Sequence, residues 1–141
     1  PATDGNLLFV GGIRDVLLAL ECGSGKEVWR VDFAALAGGK VPDFGMASSP
    51  LIDGEHLYIQ AGQAVYKLDK ATGKTVWKSL QDDGNIMSSG AFSSPIITEL
   101  HGQRQLLVQT RTQLCGLDLD SGKPFWTYEV AAFRGMNILT P

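Results

Sequence analysis

Short apolar runs alternate with polar turns along the whole chain, and no stretch holds a helical period for long. From Leu51 to Ser79 this pattern predicts four strands. The first ends at Leu51-Ile52, and Asp53-Gly54 is a two-residue hairpin signal. His56 to Gln60 forms the second, Ala61-Gly62-Gln63 turns, and Ala64 to Leu68 forms the third. Lys70-Ala71-Thr72-Gly73 turns again before a fourth run from Lys74 to Ser79. β-Branched and aromatic residues fill the runs, and turn formers bound them. One segment, Val31 to Ala37, has a helical cast; it is brief and ends in Gly38-Gly39.

The same pattern occurs three times. Gly25-Lys26-Glu27-Val28-Trp29 returns as Gly73-Lys74-Thr75-Val76-Trp77 and as Gly122-Lys123-Pro124-Phe125-Trp126, with the tryptophans 48 and 49 residues apart. A second marker keeps step: Ser48-Ser49-Pro50 is echoed by Ser93-Ser94-Pro95 and Leu139-Thr140-Pro141. Leu8-Phe9-Val10, Leu57-Tyr58-Ile59 and Leu106-Leu107-Val108 coincide within the units. The third unit carries extra residues around Glu99 to Gln105, which fits a surface hairpin loop.

A four-stranded unit of this length, repeated with a fixed Trp, is the blade of a β-propeller. The expected fold is therefore all-β: three blades of four-stranded antiparallel sheet, at approximately 1–49, 50–94 and 95–141. Each small sheet must bury a face against its neighbour. One large indole per blade, at Trp29, Trp77 and Trp126, suits that task. Its N–H needs a partner, which a neighbouring backbone carbonyl can supply. The turn before each Trp has its own chemistry. Asp69 and Asp118 can accept turn N–H groups, Thr72 or Ser121 adds a hydroxyl, and Gly73 or Gly122 takes the positive-φ position. Gly25 fills that position in the first unit, where Glu21 replaces Asp and a less regular turn is expected. Three blades leave two open edges. The chain is thus expected to be part of a longer propeller or to be completed by a homo-oligomer, and its opening at Pro1 without a preceding Ser-Ser fits either.

Charge narrows the field. With 12 basic and 15 acidic residues the net charge is -3, which disfavours a nucleic-acid groove or an anionic-membrane patch. The longest purely apolar run, Val16 to Leu20, falls far short of the ~20 residues that span a bilayer. No leader is visible, but a chain opening on Pro says little about compartment. Cys22 and Cys115 lie 93 residues apart, form no metal-binding pattern, and are expected to be unpaired thiols.

Candidate chemistry is sparse. Gly73-Lys74-Thr75 imitates the end of a phosphate-binding loop, but Leu68 stands where that loop needs Gly. Asp118-Leu119-Asp120 and Asp82-Asp83-Gly84-Asn85 lack the rest of a calcium loop. His56 and His101 have no second ligand nearby in sequence, and no G-x-S-x-G elbow surrounds Ser48, Ser49, Ser93 or Ser94. No catalytic, cofactor-binding or metal-binding residue can be named. The face built from the second-to-third-strand turns and the blade connections is more suggestive. Arg14 and Arg111 fall at matching turns, and longer loops carry Met46, Met87, Phe92 and Arg134 among charged residues. Such a mixture suits an adaptable protein surface.

The blades resemble those of the pyrroloquinoline-quinone (PQQ) propellers, whose signature is approximately A-x-D-x-x-[TS]-G-x-x-x-W. Lys67 to Trp77 matches except at its first position, as does Gly116 to Trp126, while Ala19 to Trp29 keeps the Ala but has Glu21 for Asp. The resemblance covers essentially the whole chain. It implies one of two activities: a non-enzymatic, BamB-like scaffold that binds protein or peptide partners in the periplasm or cell envelope, or a quinone-dependent alcohol or sugar dehydrogenase. The dehydrogenases hold PQQ and calcium in the axial channel and stack a disulfide of two adjacent cysteines on the quinone, and this sequence has no Cys-Cys. The scaffold is the preferred expectation, without a cofactor. An isolated or engineered blade set that self-assembles is a third possibility.

Overall fold

The computed structural model describes residues 1–38, 45–82, 91–131, 137–138 and 140–141. Twelve strands form three four-stranded antiparallel sheets among these residues. The first sheet holds β1 (Ala2–Thr3), β2 (Leu7–Gly12), β3 (Val16–Glu21) and β4 (Glu27–Asp32) in sequence order. The second holds β5 (Leu51–Asp53), β6 (His56–Ala61), β7 (Ala64–Asp69) and β8 (Thr75–Ser79). The third holds β9 (Ile96–Leu100), β10 (Gln103–Gln109), β11 (Gln113–Leu117) and β12 (Pro124–Glu129). These are propeller blades, and the three sheets do not close into a ring.

The helical segment shrinks to one turn, α1 (Phe33–Leu36), because Val31 and Asp32 still pair with β3. Asp32 caps it, accepting the Ala35 N–H at 2.9 Å.

Equivalent rows run across the blades. Phe9 pairs with Ala19 and Ala19 with Trp29; Tyr58, Lys67 and Trp77 form the same row in the second blade, and Leu107, Gly116 and Trp126 in the third. Beside each Trp the register shifts, so that Leu20, Leu68 and Leu117 pair two residues before the indole. Such bulges increase local twist. The residues passed over, Val28, Val76 and Phe125, are exposed.

Two apolar clusters bind the blades together. The first joins Phe9, Leu17, Ala19 and Trp29 to Leu57, Ile59, Tyr66 and Leu68 of the second blade. The second joins Tyr58 and Val65, with Trp77, to Leu106, Val108, Cys115 and Leu117 of the third. The middle blade is thus apolar on both faces, which explains why β6 and β7 are buried almost end to end. The connections also meet. Met46 and Ala91 form a parallel bridge, the Ala91 carbonyl accepts N–H groups from Ala47 and Ser48, and the Ser94 hydroxyl accepts the Ser49 N–H at 2.9 Å.

Candidate functional site: the blade joints and the hairpin face

Each joint is built from one indole and one turn. In the second blade the Asp69 carboxylate accepts the Thr72 hydroxyl at 2.6 Å and the Thr72 N–H at 2.8 Å. These bonds, the hydroxyl first, hold its pKa below the ordinary value. The Gly73 N–H closes the loop on the Asp69 carbonyl at 2.8 Å. Trp29 of the first blade reaches this turn, and its Nε1–H donates to the Lys70 carbonyl at 3.0 Å. The third blade repeats the scheme. Asp118 accepts the Ser121 hydroxyl and N–H, each at 2.7 Å, and Trp77 donates to the Leu119 carbonyl at 3.1 Å.

The second joint adds a buried amine. Lys67, in the column that is Ala19 in the first blade, sends Nζ 2.9 Å to the Leu119 carbonyl, beside the Tyr58 ring at 5.7 Å and Asp120 at 3.8 Å. Ion pairs brace both joints at the end opposite the hairpin face, where the first-to-second-strand turns lie: Lys70 with Asp4 at 3.1 Å, and Arg104 with Asp53 at 2.6 Å. Asp4 is held down at about 2, chiefly by the N–H groups of Leu7 and Asn6 and then by Lys70.

The turn of the first blade keeps the backbone of the other two, so the expected irregularity is confined to its side-chain bonds. Gly25 N–H to Glu21 O is 2.8 Å, and Gly25 φ is 70°, against 71° and 72° at Gly73 and Gly122. The longer Glu21 side chain still takes the hydroxyl of Ser24, at 2.6 Å. The Trp126 Nε1–H goes instead to Gln105 Oε1 in its own blade at 2.8 Å.

On the hairpin face the expected surface residues fall in different places. Arg14 is exposed and Phe92 half-buried. Met46 is interior, its Cε over Gly11. Arg111 is also buried: its guanidinium lies 5.5 Å from the centre of the Phe92 ring, and Asn137 Nδ2 donates to the Thr110 and Arg111 carbonyls. Met87 and Arg134 lie outside the described residues. Between the β6–β7 and β10–β11 turns opens a cleft of about 410 Å³, lined by Gln63, Ala64, Val65, Leu80, Gln81, Ala91, Thr110, Thr112 and Gln113 among others. Sequence reading missed this cleft, since only the blade-to-blade approach creates it.

Asp15 was also missed. It follows Arg14 in the β2–β3 turn, is fully enclosed, and has φ 59°. Burial pushes its pKa up to about 6; the Gly62 backbone N–H offsets part of this and the Asp32 charge adds to it.

The described residues do not fit PQQ and its calcium. Cys22 is exposed in the first blade's turn and Cys115 is buried in β11 between the second and third blades, so no cysteine pair can stack on a quinone. No three His, Cys, Asp or Glu residues among the described ones converge on a metal-sized site.

Three sheets, each joined to the next by an indole on a glycine turn, define a β-propeller of PQQ-type repeats. The family described as outer membrane protein assembly factor BamB matches residues 1–140, and the chain belongs to it. A comparison with curated proteins gave no match. Among solved structures, BamB from Moraxella catarrhalis is 22% identical, with a TM-score of 0.66 over 96% of this chain and 38% of that one. The quinohemoprotein alcohol dehydrogenase ADHIIG from Pseudomonas putida HK5 is 15% identical, with a TM-score of 0.65 over 89% of this chain and 19% of that one. A quinohemoprotein alcohol dehydrogenase from Comamonas testosteroni is 19% identical, with a TM-score of 0.61 over 89% and 20%. The chain therefore spans well under half the length of each of these proteins, and the likeness speaks for the fold.

Proposed function

We propose that these blades belong to a non-catalytic scaffold of the cell envelope, which holds a protein or peptide partner on its hairpin face during outer-membrane protein assembly. The family match supports the setting. The observation that carries the reading is the cleft between the β6–β7 and β10–β11 turns. The side-chain amides of Gln63, Gln81 and Gln113 line it beside the apolar Ala64, Val65 and Leu80. Amides both donate and accept, so they can pair with the main chain of an extended segment. Apolar floors then take small side chains, and Arg14 and Phe92 flank the same face.

Titration calorimetry with extended peptides from an outer-membrane β-barrel protein tests this. Binding should weaken by about tenfold when Gln63 and Gln113 are both changed to Ala, a loss worth roughly 1.4 kcal/mol, with the melting temperature unchanged. A chain that binds no such peptide, yet retains PQQ with calcium through gel filtration and oxidises alcohols, would overturn the proposal in favour of the dehydrogenase.

A further inference from the structure

A carboxyl shut into a joint with nothing to neutralise it is costly as an anion. Asp15 is in that position. It is fully enclosed, at φ 59°, in the β2–β3 turn. Neither of its oxygens makes a well-formed hydrogen bond, although the Gly62 N–H of the β6–β7 turn faces them across the joint. The charged and titratable groups around it give no relief among the described residues. The Asp32 carboxylate, which caps α1, repels its charge; Tyr66 of β7 stays neutral; and Arg14, its neighbour in the turn, is exposed. The Asp15 main chain, by contrast, is well held. Its N–H donates to the Gly12 carbonyl at 3.0 Å, and its carbonyl accepts the Phe33 N–H at 2.9 Å.

Two small elements meet at this carboxyl, and neither is part of a sheet. One is α1, a single turn whose Ala35 and Leu36 are exposed. Its anchor is the buried Phe33, with a ring centre 4.7 Å from that of Tyr66. The other is the β6–β7 turn. An added Cβ at Gly62 would lie 2.9 Å from Phe33 Cβ, so turn and helix rest on each other. Gln63, the next residue, lines the cleft, and its carbonyl accepts the Asp82 N–H at 2.8 Å. Asp15, α1 and one wall of the cleft are thus joined by direct contacts.

We propose that α1 and the β6–β7 turn act as a proton-operated latch on Asp15. While the carboxyl holds its proton, both are clamped over it. Once it ionises, α1 lifts, the carboxylate turns out to water, and the Gly62–Gln63 turn loses its support. The gap between an ordinary 3.8 and about 6 favours the released arrangement by up to about a hundredfold at full ionisation. Lifting one turn of helix exposes far less apolar surface than parting two sheets, so the response is local. Its consequence for binding rests on the reading of the cleft as a peptide site: the Gln63 wall slackens, and the peptide is held more weakly as pH rises.

Amide hydrogen exchange of the whole chain and of Asp15→Asn, each at pH 4 and pH 7.5, tests this. The intrinsic rise of exchange with pH is common to both chains and cancels in their ratio, as does any titration of Asp32 or Tyr66. Near pH 4 the two chains should exchange almost alike. At pH 7.5 the original should exchange at least about tenfold faster at Phe33, Ala35 and Ala37, with the amides of β10 and β11 unchanged. The original alone gives a second reading that needs no variant: its protection at α1 should fall with rising pH and level off above about 6. Calorimetry with a capped extended peptide free of titratable groups then reads the cleft. Affinity should fall by at least about threefold from pH 4 to pH 7.5 in the original and stay level in Asp15→Asn. Equal exchange in the two chains at pH 7.5, or acceleration that spreads to β10 and β11, would overturn the latch. Equal pH dependence of peptide binding in both chains would overturn its coupling to the cleft. Peptide bound by neither chain at either pH would overturn the cleft reading instead, and exchange would still decide the latch.

Discussion

The Trp29 indole rests on Gly73, one blade further along: a Cβ on that glycine would lie 2.7 Å from ring atom Cε3. The same glycine holds φ 71°. Two separate costs therefore meet in Gly73→Ala, a strained backbone and a displaced indole, which together should destabilise by about 2–4 kcal/mol. Gly25→Ala carries the backbone cost alone, about 1 kcal/mol. Urea melts of the two variants should keep that order. Equal losses would mean that the indole yields freely.

Trp29→Phe separates packing from hydrogen bonding. Phe keeps most of the apolar contact with Phe9, whose ring centre lies 5.8 Å from that of Trp29, but leaves the Lys70 carbonyl without its donor. A loss of roughly 1–3 kcal/mol is expected, against about 3–5 for Trp29→Ala. Thermal denaturation of both variants checks the gap between them.

Lys67 is a buried amine that the repeat does not require, since Ala19 and Gly116 fill its column in the other blades. Its stem packs in the second joint, and its Nζ shares the Leu119 carbonyl with Trp77. Lys67→Met keeps the stem volume and leaves that carbonyl the Trp77 indole and, at 3.5 Å, the Tyr58 hydroxyl as donors, so stability should change by less than about 1.5 kcal/mol. Lys67→Ala should cost about 2–3 kcal/mol through the space it leaves. If Met proved as costly as Ala, the charge rather than the stem would be holding the joint.

The blades were legible because their signals are local. Trp, Gly and the turn Asp or Ser recur at fixed spacing, and alternating runs placed the strands of the second blade to within a residue at most ends. Lys67 was visible as a departure from Ala at the first signature position. What stayed hidden depends on approach between distant segments. Met46 reads as loop until the parallel bridge to Ala91 draws its connection inward. Arg111 reads as an exposed turn cation until Phe92 and Asn137 close over it. Glu21 reads as a defect, yet one extra methylene still reaches the Ser24 hydroxyl. Gln105 carries no signal at all, because its role as partner to Trp126 rests on a contact across its own sheet between residues 21 positions apart.

The two thiols should differ sharply in reactivity. Cys22 is exposed, whereas burial pushes the Cys115 thiol up to about 11. Thiolate is the reacting form, so maleimide at neutral pH should modify one site in the native chain and two after denaturation. Mass spectrometry of the labelled chain reads this directly. Rapid native labelling of Cys115 would show the joint between the second and third blades opening on the timescale of the reaction.

Asp15 should make the first joint sensitive to pH. Its carboxyl is fully enclosed and titrates at about 6, against an ordinary 3.8. The groups that face it are the Gly62 N–H, the Asp32 carboxylate and Tyr66, whose own pKa is raised by burial and then by Asp15. Between those two values the folded chain holds more protons than the unfolded one, so this group's contribution to stability falls as pH rises through the window. At full ionisation the loss is on the order of 3 kcal/mol. Asp15→Asn removes the ionisation, and Asn accepts the left-handed backbone found here. The variant should melt above the original chain at pH 7.5 and level with it near pH 4. Comparing the two chains at each pH cancels the opposite trend from Asp4, whose depressed pKa adds stability that disappears only as pH falls towards about 2. An advantage that stayed constant across the range would assign the effect to packing, and no advantage at pH 7.5 would show that the ionised carboxylate is well solvated in the joint.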